Sequence, residues 1–311
     1  MTGGAAASGV RFETSPCGAF SLAEANRRFG GWVEERPGEE PAVVMAFPVE
    51  GWDVSAAVVL RQRADATVIG EMVVSPGAAA DAGERAWRQA LAVLSLDVDG
   101  GGFAAVGEAD PVIGDLQRRY PGLRPVLFHS PYEAAAAFII GHRISIAQGR
   151  AIRTRVAREL GAALDTPAGA THAFPQPREL LRLEALPGVP AAKVERLHGV
   201  AQAAMDGLLD REHLRRLPVE DALAELRRIP GIGPFFAQGI LMRGAGLVDA
   251  VTDDDVSAQA VQRAYRLNTP PSQATLAGIS DSWRPFRMWA MVLLHVWFRN
   301  EAGGPVRARR R

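Results

Sequence analysis

The sequence predicts an α+β protein, with a small antiparallel sheet domain near its N-terminus and a mostly α-helical module after it. In the first 110 residues, β-rich apolar runs are separated by Gly, Pro and Asp. From Tyr132 to about Arg299, apolar residues recur instead at helical spacing. The β-rich runs are "AVVMAFPV" (42–49), "VSAAVVLRQ" (54–62) and "ATVIGEMVV" (66–74).

These two periodicities predict how the chain is divided. Residues 10–112 form the mixed α/β domain, and residues 113–300 form the helical module. Residues 1–9 are a flexible tail, and residues 301–311, which contain "VRARRR", are a basic tail.

Composition narrows the class of protein. The 311 residues are 48% hydrophobic and 23% charged, which is typical of a soluble protein with a hydrophobic core. Lys plus Arg (35) equals Asp plus Glu (35), so net charge gives no argument about a polyanionic partner. A single cysteine, Cys17, excludes an internal disulfide, a thiolate zinc site and a cysteine-ligated iron-sulfur cluster. The longest apolar run, 288–298, is too short for a bilayer and no signal peptide is evident, so we expect a cytoplasmic protein without membrane contact.

Capping residues place the helices. "ERAWRQALAVL" follows the β-rich runs, and "GEADPVIGDLQRRYPGLRP" is interpreted as a linker. The next helix begins with Ser130 as N-cap, Pro131 at its first position and Glu133 at capping-box spacing, and is predicted to continue to Gly161. Two further predicted helices are "PQPRELLRLEAL" and "PAAKVERLHGVAQAAMDGLL".

A Pro-Gly-Ile-Gly turn at 230–233 separates two apolar helical runs in "LRRIPGIGPFFAQGILMRGAG". Gly231 and Gly233 permit unusual backbone angles and leave the amides of the following helix open to a phosphate. Leu226, Ile229 and Ile232 would pack the two helices together. On these residues alone, a plain glycine-capped turn between helices explains the pattern equally well.

Five ordered blocks resemble the helix-hairpin-helix DNA glycosylases, and within them the DNA-3-methyladenine glycosylase II branch. The resemblance implies a helix-hairpin-helix glycosylase module that binds double-stranded DNA, flips out a damaged nucleotide and removes its base. The mixed N-terminal segment fits the extra sheet domain of that branch. The blocks are "PYEAAAAFIIGHRIS", "FPQPRELLRL", "LRRIPGIGPFFAQGILMRG", "DAVTDDDV" and "WRPFRMWAMVLLHVW".

The resemblance makes Asp255 the catalytic residue. Cleavage of an N-glycosidic bond builds positive charge on the sugar, so a nearby carboxylate stabilises the transition state and can orient the attacking water. Three consecutive aspartates repel DNA, which favours a function for at least one of them. The alternative is that Asp255 only caps the helix "VSAQAVQRAYRL", and Asp253 and Asp254 are interpreted as loop or cap residues.

The resemblance also predicts the type of reaction. Bifunctional relatives carry a lysine nucleophile where this sequence has Phe235, so no AP-lyase activity is expected. The expected enzyme is a monofunctional glycosylase for alkylated, 3-methyladenine-like bases in base excision repair. Alternatives are a glycosylase of the same fold for other damaged bases such as oxidised purines, and a non-catalytic DNA-binding scaffold.

DNA contacts follow from the same resemblance. Gly231, Ile232 and Gly233 would bind a phosphate through their amides. His142 and Arg143 stand where relatives fill the gap left by the flipped base. The alternative for Arg143 is an ordinary surface charge.

The predicted base pocket contains Phe235, Trp283 and Phe286, because electron-rich rings attract a cationic alkylated base. An aromatic stripe on a helix is more often core, and Trp289 and Trp297 are assigned to the core for that reason. Gly239 stands where the methyladenine enzyme has an aromatic residue, which predicts a roomier pocket.

Relatives bind a monovalent cation through main-chain carbonyls, which would here be those of Arg227, Ile229 and Ile232. The ion would be structural K⁺ or Na⁺, and no other cofactor is expected. The histidines have no ligand-like spacing, so we expect no catalytic transition metal, and His295 is interpreted as a satisfied core residue. We expect a monomer that binds double-stranded DNA and no nucleotide cofactor.

Overall fold

The computed structural model describes residues 10–29, 42–252 and 254–301. The predicted tails at 1–9 and, beyond Glu301, at 302–311 lie outside the described residues, as does Asp253. The described residues form two compact units, each discontinuous in sequence. Unit 1 contains residues 10–15, 42–97 and 127–246, and unit 2 contains residues 16–29, 98–126 and 247–301. The structure thus groups the chain differently from the predicted linear division, since the sheet shares a unit with the helices before residue 246.

The elements alternate from mixed to helical along the chain, as the two periodicities predict. The strands are β1 (Val10–Thr14), β2 (Val43–Pro48), β3 (Ser55–Gln62), β4 (Val68–Val74), β5 (Ala163–Thr166) and β6 (Gly169–His172). The helices are α1 (Leu22–Phe29), α2 (Ala82–Val93), α3 (Phe103–Ala109), α4 (Pro111–Arg119), α5 (Pro131–Gly141), α6 (Ile146–Leu160), α7 (Pro177–Leu180), α8 (Ala191–Met205), α9 (Arg211–Arg216), α10 (Val219–Leu226), α11 (Pro234–Ile240), α12 (Asp255–Ala264), α13 (Gln273–Ser280) and α14 (Arg287–Asn300). A π-helical segment (Leu241–Ala245) continues α11, and a 3-10 turn (Asp281–Trp283) follows α13.

Unit 1 contains a four-stranded antiparallel sheet in the order β1-β4-β3-β2. The central strand β3 is buried from Ser55 to Leu60, as its continuous apolar run predicts. Helix α2 packs on β3 and β4, and Gly70 leaves room there for the ring of Trp87. The three predicted β-rich runs and the helix after them are therefore confirmed.

A second, two-stranded sheet of β5 and β6 lies within the region whose periodicity is almost all helical. Its strands are four residues each, too short for a period-2 pattern to stand out from the flanking helices. Leu164 packs with Ala57 of the large sheet, so the hairpin adds a small apolar cluster to that sheet. The region is otherwise helical, as predicted, and this hairpin was not predicted.

The predicted helix from Ser130 to Gly161 is two helices, α5 and α6. Ser130 caps α5 as predicted, since its hydroxyl accepts the amide of Glu133 at 3.1 Å. Ser145 and Gln148 form a capping box that starts α6 separately. Between the helices, Arg143 has a φ of +60°, a left-handed conformation that ends α5.

Unit 2 is helical in its described parts, and the predicted linker in it is wrong. That segment forms the end of α3 and all of α4, with Asp110 as N-cap and Pro111 at the first helical position. Asp110 Oδ1 accepts the amides of Val112 and Ile113 at 3.0 and 3.3 Å. The Asp-Pro pair is a helix start signal, and the glycines around it favoured a loop instead.

Helix α14 forms the centre of the core of unit 2, and its residues from Met288 to Leu294 are all buried. The buried guanidinium of Arg124 lies 5.1 Å from the ring centroid of Trp289 and donates to the carbonyl oxygens of Cys17, Ala19 and Val98. Within the described ranges, α14 and every other helix lack the apolar length needed to span a bilayer.

Candidate functional site

The glycine turn of unit 1 joins α10 to α11. The amide of Ile232 donates to the carbonyl of Ile229 at 3.0 Å, which closes the turn. Leu226, Ile229 and Ile232 are all buried, so the predicted packing of this hairpin is confirmed. Gly231 has a φ of +86°, a left-handed conformation that favours glycine.

Gly233 is the N-cap of α11 and keeps its own surface open. It is extended and exposed, and Pro234 takes the first helical position. A Cβ built on Gly233 would meet no atom of the described residues within 4 Å, whereas a Cβ on Gly231 would lie 2.7 Å from Cδ of Arg196. An anion can therefore approach the backbone at Gly233, and Arg196 lies against the same turn.

Three basic side chains lie near His142, and one of them, Arg196, also lies against the hairpin turn. Burial lowers the pKa of His142, and the nearby charges of Arg143, Lys193 and Arg196 lower it further. Lys193 donates from Nζ to the carbonyl oxygens of Ile140 and His142, at 2.8 Å each. The ammonium thus holds two carbonyls at the end of α5, and it adds a fixed cation near His142.

Aromatic rings form a row on α5 and α11. Phe235 is 63% exposed, and its ring centroid lies 6.0 Å from that of Phe236. Phe236 stacks on Phe138 at 5.2 Å, and His142 meets it edge-on at 5.6 Å. The exposed ring of Phe235 is available to a ligand, as its assignment to the base pocket requires.

The space next to Gly239, predicted to widen the base pocket, is occupied in the structure. A Cβ built on Gly239 would lie 2.5 Å from Cζ of Phe138. The ring of Phe138, which the sequence analysis did not single out, already fills that space.

Trp283 and Phe286 belong to the core of unit 2, which corrects their assignment to the base pocket. Trp283 is fully buried, and its Nε1 donates to Asp110 Oδ2 at 3.0 Å. Phe286 is buried and packs on Phe103 and Trp289, with centroids 5.5 and 5.0 Å away. Trp289 is core as predicted, whereas Trp297 is only partly buried.

Asp254 and Asp255, the two described aspartates of the acidic string in unit 2, differ in burial and in their position relative to α12. Asp254 is half-buried and caps α12, with Oδ1 accepting the amides of Val256 and Ser257 at 2.9 and 3.1 Å. Asp255 is exposed at the first helical position. The alternative interpretation of Asp255 as the N-cap is therefore wrong, and Asp254 is a cap residue as interpreted.

Asp254 belongs to a polar cluster that the sequence analysis missed. The hydroxyl of Ser257 donates to Asp254 Oδ2 at 2.8 Å and lies 2.9 Å from Nε2 of His295. Burial raises the pKa of Asp254, but hydrogen bonds from Thr252 and Ser257 and the proximity of His295 outweigh it and lower that pKa overall. The carboxylate is thus held in its ionised form. The spacing of Ser257, three residues after the cap, was the available signal.

No group of three or more metal-ligating side chains occurs in the part of the chain that the structure describes. A cation at the hairpin would accordingly depend on main-chain oxygens. The Ile229 carbonyl accepts one amide, which leaves its second lone pair for an ion.

The chain resembles DNA-3-methyladenine glycosylases in sequence, although no family model matches it. A DNA-3-methyladenine glycosylase of Bacillus subtilis is 26% identical over 206 residues, which cover 65% of this chain and 68% of that protein. DNA-3-methyladenine glycosylase 2 of Escherichia coli is 31% identical over 193 residues, which cover 60% of this chain and 64% of that protein. The chain thus spans about two thirds of the first relative and slightly less of the second.

Solved structures share the fold. A 3-methyladenine DNA glycosylase from Archaeoglobus fulgidus has a TM-score of 0.74 and 20% identity, covering 93% of this chain and 98% of its own. An 8-oxoguanine glycosylase/lyase from Clostridium acetobutylicum, bound to double-stranded DNA, has a TM-score of 0.65 and 15% identity, covering 90% and 92%. These likenesses confirm the predicted α+β fold with its helix-hairpin-helix module.

Proposed function

We propose that this chain, which belongs to the helix-hairpin-helix DNA glycosylase superfamily and to its DNA-3-methyladenine glycosylase branch, hydrolyses the N-glycosidic bond of alkylated bases in double-stranded DNA. The observation that carries the proposal is the ionised, helix-capping carboxylate of Asp254, in a chain whose relatives are named for this activity. The damaged nucleotide is flipped out of the duplex before its base is removed.

The hairpin holds the DNA backbone in this proposal. A phosphate approaches the amides of Gly231 and Gly233, and the open surface at Gly233 supports that contact. The amide of Ile232, also predicted to bind the phosphate, is buried and already donates to the carbonyl of Ile229, so it is not part of the proposed contact. Lys193 and Arg196 add attraction for a polyanion. Arg143, exposed in its left-handed turn beside His142, enters the gap that the flipped base leaves.

The carboxylate stabilises the positive charge that develops on the sugar as the base leaves, and it orients the attacking water. Asp255 was the predicted residue, and it stays a candidate. Asp254 is the better supported of the two, because its position is fixed by three hydrogen bonds and its lowered pKa keeps it anionic. Asp255 is exposed and would lose much of its effect to solvent screening.

Phe235 stacks on the flipped base, since its ring is exposed next to the row that Phe236 and Phe138 continue. A cationic alkylated purine is attracted by such a face. A structural K⁺ or Na⁺ bound by the carbonyls of Arg227, Ile229 and Ile232 would add positive charge under the phosphate.

The absence of lyase activity is part of the proposal. Lys193 is the single lysine of the sequence, and its ammonium is hydrogen-bonded to two carbonyls at the end of α5. A Schiff base needs a free, deprotonated amine. Burial and the charge of Arg196 lower the pKa of Lys193, but its two hydrogen bonds to carbonyl oxygens hold the nitrogen at the end of α5 and oppose its attack on a sugar. The product is therefore an abasic site with an intact strand.

The test measures bases released from alkylated duplex DNA, identified by mass. The natural protein is expected to free methylated purines. Asp254→Asn is expected to lose about 100-fold or more in rate while still binding DNA, because removal of one electrostatic stabiliser costs that much. Asp255→Asn is the matched control, with a change below about threefold, since an exposed charge is screened.

Other outcomes distinguish the alternatives. A large loss in Asp255→Asn alone would return the catalytic role to that residue. Release of oxidised purines without methylated ones would favour the other substrate class. Tight DNA binding without release of any base would indicate a scaffold.

A further inference from the structure

We propose that Ser257 and His295 are positioning residues for the Asp254 carboxylate, the histidine acting through the serine hydroxyl. This inference rests on the proposed function of Asp254 and deepens it. The two residues come from different helices of unit 2, α12 and α14, and neither was assigned this role from the sequence.

The side chains of Asp254, Ser257 and His295 are connected in that order by hydrogen bonds. Ser257 is fully buried in the first turn of α12, and its Oγ lies 2.8 Å from Asp254 Oδ2. On its other side, the same Oγ lies 2.9 Å from Nε2 of His295 and 2.7 Å from Oγ1 of Thr252. The hydroxyl of Ser257 thus lies within hydrogen-bonding distance of three polar side chains.

The number of protons and lone pairs on the Ser257 hydroxyl determines the direction of these hydrogen bonds. A hydroxyl has one proton to donate and two lone pairs to accept with. When Ser257 donates its proton to Asp254, its oxygen is free to accept from Nε2–H of His295, and the Thr252 hydroxyl keeps its own proton for Asp254. His295 therefore carries its proton on Nε2 and fixes the direction in which the serine proton points.

Helix capping does not explain this cluster. The cap of α12 needs only Asp254 Oδ1, which accepts both backbone amides. The bond from Ser257 to Oδ2 and the bond from His295 are additional. Ser257 is fully buried and His295 is half-buried, and burial of polar groups costs desolvation free energy that their hydrogen bonds offset.

Both oxygens of Asp254 are consequently held by donors. The backbone amides fix one, and Ser257 fixes the other, so the carboxylate plane cannot rotate without breaking bonds. Donors to both oxygens also favour the anion over the acid, in agreement with the lowered pKa. A catalytic carboxylate must have a fixed direction and charge to stabilise a transition state.

The experiment measures single-turnover base release, DNA affinity and thermal midpoint for a set of variants. Ser257→Ala removes only the hydroxyl and is expected to slow release about tenfold or more, as expected from the lower end of the range for a hydrogen bond to a charged group, with DNA affinity unchanged within about twofold. His295→Gln keeps an N–H donor for the serine, whereas His295→Leu does not, so Gln is expected to retain most of the rate that Leu loses.

The Asp254→Asn background separates positioning from general structure. If Ser257 acts through Asp254, Ser257→Ala in that background is expected to cost no further rate. In addition, Ser257→Ala should raise the pKa of Asp254, followed through its carboxyl ¹³C signal. That titration remains available where residual turnover is too slow to measure.

Each outcome decides one question. If the natural protein releases no base, the proposed function is wrong, whatever the results for the variants. Release that is unaffected by Ser257→Ala, or equal rates for His295→Gln and His295→Leu at equal thermal midpoints, overturns the positioning role alone. If Ser257→Ala does not fold, the His295 pair still gives the answer.

Discussion

The ring of Phe138 occupies the space that a side chain on Gly239 would need. A Cβ on Gly239 would lie 2.5 Å from Cζ and 2.9 Å from Cε2 of that ring. Phe138 in turn stacks on Phe236 with an interplanar angle of 26°. The aromatic surface beside the hairpin therefore includes a ring from α5, for which the glycine on α11 leaves room.

Gly239→Ala is therefore expected to destabilise the protein by about 1–3 kcal/mol, the usual cost of overpacking. Urea unfolding measures this change. Gly278→Ala is the matched control, because it lies inside α13 with nothing within 4 Å of its Cβ among the described residues, and alanine favours a helix. Phe138→Leu combined with Gly239→Ala should recover part of the loss, and equal stability of both single glycine variants would contradict the steric explanation.

Substitutions of the two hairpin glycines are expected to have different effects on stability. Gly231→Ala forces an L-residue to a φ of +86° and a contact of 2.7 Å with Arg196, so it should lower the free energy of unfolding by about 1–2 kcal/mol and weaken DNA binding. Gly233→Ala has open space and an extended backbone, so stability should stay nearly unchanged.

DNA affinity then reports on the phosphate contact. A methyl group at Gly233 would stand over the open backbone, so Gly233→Ala should weaken binding to undamaged duplex DNA severalfold despite its normal stability. Fluorescence anisotropy at two salt concentrations checks this. Unchanged affinity in Gly233→Ala would mean that phosphate does not approach the backbone at this residue.

The sequence predicted the large sheet and the packed hairpin because both depend on local patterns. Continuous β-rich runs predicted β2, β3 and β4, and a Pro-Gly-x-Gly turn predicted the hairpin. The break between α5 and α6 was missed because Gly141 to Ser145 lie inside one apolar helical pattern, where the capping box at Ser145 competes with helix continuation.

The candidate site depends on contacts between residues far apart in sequence, which a single sequence does not reveal. Phe138 and Gly239 are 101 residues apart in numbering, and Ser257 and His295 are 38 apart. Trp283 and Phe286 were assigned to a pocket by position in a motif, but motif position does not specify which side of a helix faces the core. The aspartate string suggested a functional acid, and only the helix boundary distinguishes Asp254 from Asp255.

Reductive trapping should find no covalent complex with abasic DNA. A lyase forms an imine between an amine of the protein and the sugar, and borohydride reduces that imine to a stable amine. Lys193 is the only lysine side chain in the sequence, and its ammonium is held by the carbonyls of Ile140 and His142. Strand cleavage should likewise be absent after base release.

A trapped complex would contradict this prediction, and Lys193→Met then identifies its origin. If trapping disappears in that variant, Lys193 is the nucleophile and the enzyme is bifunctional. If trapping persists, the amine belongs to the N-terminus. Lys193→Arg is the control that keeps a cation beside the hairpin, and it should preserve DNA affinity better than Lys193→Met.

The stability of the protein should depend on the ionisation of Asp254. Burial raises its pKa, but the bonds from Thr252 and Ser257 lower it more, so the folded pKa lies below the ordinary value of 3.8. A carboxyl group whose folded pKa is depressed stabilises the fold at pH values above its unfolded pKa, and that contribution is lost as pH falls through the folded pKa.

Asp254→Asn keeps a capping side chain but cannot ionise. The natural protein should therefore be more stable than Asp254→Asn at pH 6, and the difference should shrink between pH 5 and pH 3. Urea unfolding at a series of pH values measures it, with Asp255→Asn as the control for loss of one charge in the same turn. A difference that stays constant or grows as pH falls would mean that Asp254 is not held as an anion in the folded protein.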